Sequence, residues 1–278
     1  MQHIDHNGLT EKQFLNQYCL SDYPRPSVSV DIVIFTVAYV QGDNYRKLTE
    51  KQLQILLIRR GEHPYLGQWA LPGGFVRPDE TVGEAAHREL EEETGINGEY
   101  LEQLFTFSTP ERDPRTWVIS CAHMALVDSE QRILAAGSDA VDASWFVVQC
   151  SYNNGNYTLS LKNSDIDLSA VIKSDNVSTE SELIENNGLA FDHAKIIVYA
   201  IRRLRSKLEY TDMAFNLMPE KFTLTELQQV YEAVLDKPLF KAAFRRKMAG
   251  FVLETDQYTG DKGHRPAKLY TKNEEEEK

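Results

Sequence analysis

Apolar positions along the chain follow two periods. Residues 31–40 and 52–59 are dense in Val, Ile, Leu and Phe and read as strands, joined by a polar connection over 42–50. Residues 101–107, 118–127 and 143–148 read as further strands. Between them, Val82, Ala85, Ala86 and Leu90 recur at helical spacing, so 81–94 reads as an amphipathic helix. Thr81 and Glu84 form a capping box at its start. Gly95 stands where a helix ends in the left-handed conformation. Pro72-Gly73-Gly74, just ahead, is turn chemistry. Residues 151–187 are polar, rich in Asn and Ser and weakly patterned, which predicts a hairpin near 157–161 and a mobile loop beyond it. A second long helix is expected over 189–208. Its basic end (Arg202, Arg203, Arg205, Lys207) suits the negative pole of the helix dipole.

The pattern changes after residue 212. Residues 223–235 read as a helix, Asp236-Lys237-Pro238 as a turn, 239–249 as a second helix, and 251–255 with 267–271 as two short strands. Helix, turn, helix and a two-stranded wing is the order of a winged helix-turn-helix. The expected domains are therefore 1–212, with the insert at 151–187, and 213–273. Residues 274–278 form a solvated acidic tail.

Composition narrows the class. Hydrophobic content is 42% and charged content 26%, ordinary for a soluble chain with a core. No apolar run reaches the roughly 18 residues that span a bilayer. Cys19, Cys121 and Cys150 are too scattered for a disulfide framework or a metal site, which points to a reducing cytoplasm. Net charge is −12. Residues 239–273 nevertheless hold eight basic against three acidic residues. A basic segment on an acidic protein suggests a local anionic partner, with DNA one candidate.

The densest chemistry lies over residues 74–96. Glu89, Glu92 and Glu93, at i, i+3 and i+4, share one helix face. Carboxylates crowded there repel one another, and a divalent cation relieves the repulsion. All-oxygen ligands suit Mg²⁺ or Mn²⁺. Arg88 can brace the cluster by pairing. Taken alone, Glu91–Glu93 would read as a solvated acidic face. The wider pattern reverses that: Gly74, Glu80, Arg88-Glu89-Leu90, Glu92-Glu93 and Gly95-Ile96 match the Nudix box at all nine defined positions over 23 residues.

This region resembles the Nudix (MutT-like) hydrolase superfamily. The resemblance implies an α+β fold: an α/β/α sandwich around a mixed sheet, followed by the winged helix-turn-helix. It also implies a metal that bridges a diphosphate and activates water for attack on phosphorus. Carried over by position, Glu89, Glu92 and Glu93 are metal ligands, and the Gly73 carbonyl is a further one. Glu92 or Glu93 assists the water, and Arg88 completes the catalytic set. Glu80 either joins the metal shell or orients the loop. Gly74 allows an approach that a side chain would block.

The flanks resemble the ADP-ribose pyrophosphatase branch: Arg59-Arg60-Gly61, then Gly67-Gln68-Trp69-Ala70-Leu71-Pro72-Gly73-Gly74-Phe75, Arg112-Asp113-Pro114-Arg115 and Leu189-Ala190-Phe191-Asp192-His193. Arg59, Gly74, Arg112 and Arg115 are the substrate-binding candidates, since guanidinium groups hold phosphate oxygens in pairs. For Arg112 and Arg115 an internal ion pair competes evenly with binding. His193 suits a structural hydrogen bond better than catalysis, and Trp69 suits the core better than base stacking. Asp139, Asp142 and Asp192 are candidates for a separate general base, which stays unassigned.

Residues 213–272 resemble the winged-helix domain of Nudix-related transcriptional regulators of NAD metabolism, through Phe215-Asn216-Leu217-Met218-Pro219, Phe222-Thr223-Leu224-Thr225-Glu226-Leu227-Gln228, Phe244-Arg245-Arg246-Lys247 and His264-Arg265-Pro266-Ala267-Lys268-Leu269-Tyr270. That resemblance implies a homodimer on operator DNA and a Nudix domain that binds ADP-ribose or a related effector. Lys241, Arg245, Arg246 and Lys247 would lie on the recognition helix, with Arg265 and Lys268 at the wing. Regulators of this group often carry a degraded box, whereas this one is intact. The first expectation is therefore an enzyme cleaving ADP-ribose to AMP and ribose 5-phosphate. The alternative is a DNA-binding regulator that senses ADP-ribose or a related metabolite.

Overall fold

The computed structural model describes residues 3–39, 51–95, 100–128, 140–174, 181–260 and 266–274. Its elements run α1 (Glu11–Gln17), β1 (Ser27–Tyr39), β2 (Lys51–Arg60), β3 (Trp69–Ala70), β4 (Gly73–Phe75), α2 (Val82–Thr94), β5 (Tyr100–Phe107), β6 (Val118–Leu126), β7 (Ala140–Asn153), β8 (Asn156–Asn163), β9 (Ile166–Lys173), β10 (Glu182–Asn187) and α3 (His193–Lys207). The C-terminal part adds α4 (Leu224–Leu235), α5 (Lys241–Met248), β11 (Val252–Tyr258) and β12 (Lys268–Lys272).

The main sheet has the order β10-β9-β8-β7-β2-β1-β6-β5, with β3 beside β2 and β4 beside β1. β1 and β6 pair in parallel, while β1 pairs antiparallel with β2, so the sheet is mixed. β1 is covered on both faces, which is why its apolar run is nearly continuous. Val30, Ile32 and Ile34 pack with Ala85, Ala86 and Leu90 of α2. Val33, Phe35 and Val37 pack on the other side with Ala194, Ile197 and Ile201 of α3. Period-two alternation thus sorts one strand between two helical layers.

The start of α2 is as expected. The Thr81 hydroxyl accepts from the Glu84 N–H at 3.2 Å, and the Glu84 carboxylate accepts from the Thr81 N–H at 2.7 Å. Gly95 closes the helix at φ 70°, a conformation that a β-carbon disfavours.

Two expectations change. The hairpin expected near 157–161 is there, as β8 paired with β7 and β9; beyond it, β9 and β10 extend the sheet where a loop was expected, with residues 175–180 between them outside the described residues. Tyr157, Leu159 and Leu161 are buried alternately, as are Leu168, Ala170 and Ile172, a period masked by the polar residues between them. The second long helix starts at His193, not 189. Leu189 is bridged to Trp69, and Phe191 takes φ 51°, which a helix cannot. A short capped helix, α1, also stands near the N-terminus. The connection over 42–50, Val40, Ile96, Asp139, Arg265, part of the loop expected after residue 161 (175–180) and the tail after Glu274 lie outside the described residues.

The C-terminal part is a winged helix. Thr223 and Glu226 cap α4 reciprocally. Leu227, Val230, Tyr231 and Val234, at i, i+3, i+4 and i+7, form its buried stripe. Phe244 of α5 packs edge-on to Tyr231 at 5.2 Å between ring centroids. β11 pairs antiparallel with β12, and Phe222 bridges to Tyr270 as a third rung. The stripe of α4 joins the same buried cluster as β1, β2 and α3. Arg205 of α3 donates to the Val234 carbonyl and the Cys150 carbonyl, both at 2.9 Å. Among the described residues, no helix is long and apolar enough to cross a membrane.

A shared core predicts that both parts unfold together. Leu227→Ala is expected to cost about 2–5 kcal/mol. In calorimetry it should lower a single transition. A separate early transition confined to the winged helix would contradict this.

Candidate functional site

A cleft of about 690 Å³ opens where β4, the start of α3 and the loop after β5 meet the carboxylate face of α2. Its volume suits a nucleotide-sized molecule. Glu89, Glu92 and Glu93 line it, as do Gly73 and Gly74. A β-carbon at Gly74 would meet the Glu89 carboxylate, so with glycine here that carboxylate can lie directly against the loop.

Arg88 sits amid the acidic side chains. Its guanidinium donates to Glu80 at 2.7 and 2.9 Å, to Glu89 at 2.6 Å and to Glu92 at 3.1 Å, and it also reaches the Phe75 carbonyl at 3.2 Å. The hydrogen bonds from Arg88 and from the Arg77 amide pull the Glu80 carboxyl down to about 2. Burial pushes the Glu89 carboxyl up, against the pull of Arg88. Among the described residues, no three acidic, histidine or cysteine side chains converge in the manner of an assembled metal site. The expected face is present, but in this arrangement the guanidinium offsets its charge.

The floor of the cleft is a buried ion cluster. Arg112 donates twice to Asp192, at 2.7 and 3.2 Å, and once to Asp31 at 3.2 Å. Burial works against its charge, and the two carboxylates more than compensate, holding Arg112 above its ordinary value. Ser120 also donates to Asp31. His193 is fully enclosed, and burial lowers its pKa. Its Nδ1 accepts from the Leu71 N–H at 2.9 Å, which leaves the proton of the neutral ring on Nε2, 3.5 Å from Asp31. His193 therefore fixes the backbone two residues ahead of Gly73.

The rim is aromatic and cationic. The Arg115 guanidinium lies over Phe75 at 5.3 Å and over Phe191 at 5.9 Å, while Asp113 holds it from the side at 2.7 Å. Arg60 lies 5.0 Å from the Phe191 ring, and Tyr65 packs on Phe191 at 4.7 Å. Phe75 is 43% exposed, leaving a flat face open.

Several expected residues stand elsewhere. Arg59 is not in the cleft: successive residues of β2 point to opposite faces, and its Nε donates to the Gly67 carbonyl. Arg60, its neighbour, lines the cleft instead. Arg112 lines it too, but with its guanidinium spent on two aspartates. Asp192 is committed to Arg112, and Asp142 pairs across the sheet with Arg59 and does not line the cleft. Trp69 is core, edge-on to Phe146. Arg77 and Asp31 were not singled out from sequence, and Phe191 entered only as part of the 189–193 motif.

On the winged helix, Lys241, Arg245 and Arg246 are exposed on α5 and form no ion pair among the described residues. Lys247 is turned back, donating to the Glu209 carbonyl at 3.1 Å and lying over the Tyr231 ring. Lys268 is paired with Glu254 across the wing. These two cations serve the fold in this structure.

Residues 46–150 match the NUDIX domain model, and residues 214–271 match the NrtR DNA-binding winged helix domain model. The chain is 39% identical over 268 residues to the ADPR responsive transcriptional repressor NtrR of Acinetobacter baylyi, covering 95% of this chain and 89% of that protein. It is 40% identical over 138 residues to the ADP-ribose pyrophosphatase of Methanocaldococcus jannaschii, covering 50% of this chain and 70% of that enzyme. Shewanella oneidensis NrtR, solved in complex with a 27mer DNA, superposes with a TM-score of 0.61 at 30% identity, over 88% of this chain and 93% of that one.

The ion cluster yields a stability prediction. Arg112→Met strands two buried carboxylates and is expected to cost about 3–5 kcal/mol in denaturant unfolding. A loss below about 1 kcal/mol would show that Asp31 and Asp192 do not depend on it.

Proposed function

Because the chain belongs to the family of Nudix proteins that carry the NrtR DNA-binding winged helix, we propose that it is a transcriptional regulator responsive to ADP-ribose. The observation that carries this reading is the likeness to a repressor described as ADPR responsive, which spans both the cleft domain and the winged helix. It displaces simple hydrolysis, the first expectation from sequence, as the main function.

The geometry supports each half. In the cleft, Arg60, Arg77 and Arg115 would hold a diphosphate, and the open face of Phe75 would take a flat base or sugar. On the winged helix, Lys241, Arg245 and Arg246 would meet DNA phosphates. The rest of the protein is acidic and would be repelled by DNA, so the basic face would set the orientation of approach. Binding as a cytoplasmic homodimer to a two-fold operator completes the reading.

A second reading stands beside it: the regulator also hydrolyses its effector. The complete box favours it. Nudix proteins generally work with a divalent metal. Glu89, Glu92 and Glu93, with the Gly73 carbonyl at the same cleft, are the all-oxygen set that would hold Mg²⁺ or Mn²⁺, once Glu89 and Glu92 give up Arg88. The ion would neutralise diphosphate charge and activate water. Glu92 is half exposed, and once it gives up Arg88 it would help orient that water.

Two measurements test these readings. Gel-shift titrations with palindromic duplexes from around its own gene should show binding that ADP-ribose releases. Replacing Arg245 and Arg246 together by Ala should weaken binding at every sequence and flatten its salt dependence by roughly two phosphate contacts. Absence of any shift at low salt would refute the regulator. For hydrolysis, the protein with ADP-ribose and Mg²⁺ should release AMP, and Glu92→Gln should slow turnover at least about a hundredfold. No release with Mg²⁺ or Mn²⁺ would leave sensing alone.

A further inference from the structure

Phe240 is 88% exposed, the largest exposure among the big apolar side chains in the described residues. It occupies the N-cap of α5, the second helix of the winged-helix pair. A cap position normally carries a small polar side chain that bonds the helix amides, and Phe240 makes no such bond. Its ring therefore contributes nothing visible to this fold.

Its backbone is nonetheless held firmly. Glu232 of α4 accepts from the Leu239 N–H at 2.7 Å, and Gln228 donates to the Leu239 carbonyl at 3.0 Å and to Glu232 at 3.0 Å. On the other side, the Phe240 carbonyl accepts from the Phe244 N–H at 2.9 Å. The ring is thus presented to solvent from a clamped turn rather than from a loose end. Around it, Lys241, Arg245 and Arg246 are exposed cations, and Ala242 and Ala243 leave the outer face of α5 shallow.

We propose that Phe240 is a base-reading residue, whose ring meets a thymine methyl in the major groove of duplex DNA. This rests on the reading of the winged helix as a DNA-binding domain. The cations select a polyanion as the occupant, since they would oppose an apolar patch on another basic surface. The N-terminal residues of a recognition helix are those that reach base edges. On those edges the thymine methyl is the apolar group, and phenylalanine suits it. Phosphate contacts from the neighbouring cations would position the helix without reading sequence.

The test uses the full chain and duplexes it enriches from a random library. Each thymine of the enriched site is replaced in turn by deoxyuridine, which lacks only the methyl. At one position in each half-site, the replacement should weaken the wild-type protein about fourfold, the value of one buried methyl-sized group. Phe240→Ala should bind the parent duplex more weakly and be indifferent to that replacement. Its salt slope should match the wild type, since no charge is removed. The proposal is overturned if Phe240→Ala keeps the wild-type response to every thymine replacement. It is equally overturned if the variant changes only the assembly state of the free protein in sedimentation, which would assign the ring to a second copy of the chain. If no duplex is enriched, the DNA-binding reading itself fails, and this inference with it.

Discussion

The cleft is organised around one buried guanidinium, Arg112, held between Asp31 and Asp192. The three charges come from separate elements: the loop after β5, the middle of β1 and the residue just before α3. Taking an ion pair out of water costs more than a surface pair returns, so such a cluster adds specificity sooner than stability. Strand, loop and helix must come together for all three groups to meet. His193, next in sequence to Asp192, extends that placement to Leu71 and so to the glycine turn against α2. The position of the Glu89 carboxylate beside Gly74 follows from a chain of contacts that begins at Arg112.

The same helix serves both halves of the molecule. The first residue of α3 fixes the cleft loop through His193, and near its last turn Arg205 grips the carbonyl of Val234 in α4. Between the ends, Ile197, Ile201 and Leu204 belong to the core that also takes in the α4 stripe. Close-packed interiors transmit displacement rather than absorb it. An occupant that moved the start of α3 would therefore act on the body that carries the winged helix, with no flexible linker between them to dissipate the shift.

Much of this was legible in the chain itself, for identifiable reasons. The capping boxes at Thr81 and Thr223, the left-handed Gly95 and the spacing of Leu227, Val230, Tyr231 and Val234 are local devices, and local devices survive into the fold unchanged. The strand β9 was hidden because its outward residues Asp167, Ser169 and Lys173 diluted a real alternation, and β10 because it is exposed along nearly its whole length and carries no buried stripe. The site was read less completely than the fold. Its carboxylates share a helix face, a matter of spacing. Which arginine enters the cleft depends on the side of β2 from which it projects, and Arg59 and Arg60 differ only in parity. The buried partners Asp31 and Arg112 are 81 residues apart, and no local pattern joins them.

Arg88 bears most directly on what the intact box is for. As arranged, it satisfies Glu80, Glu89 and Glu92 together, so the acidic face is stable without a cation. That gives the box a structural role independent of turnover: the four side chains pin the segment before α2 to the helix and hold the Phe75 carbonyl in place. A sensor needs that cradle as much as an enzyme does, because the ring of Phe75 and the loop around Gly74 form the wall against which a ligand would lie. Retention of the box is thus compatible with sensing alone. What separates the two functions is whether Glu89 and Glu92 release Arg88 when a divalent ion and a diphosphate arrive together. Glu89 is the more revealing of the pair: its burial disfavours charge, and only a cation, either Arg88 or a metal, makes an ionised carboxylate comfortable at that position.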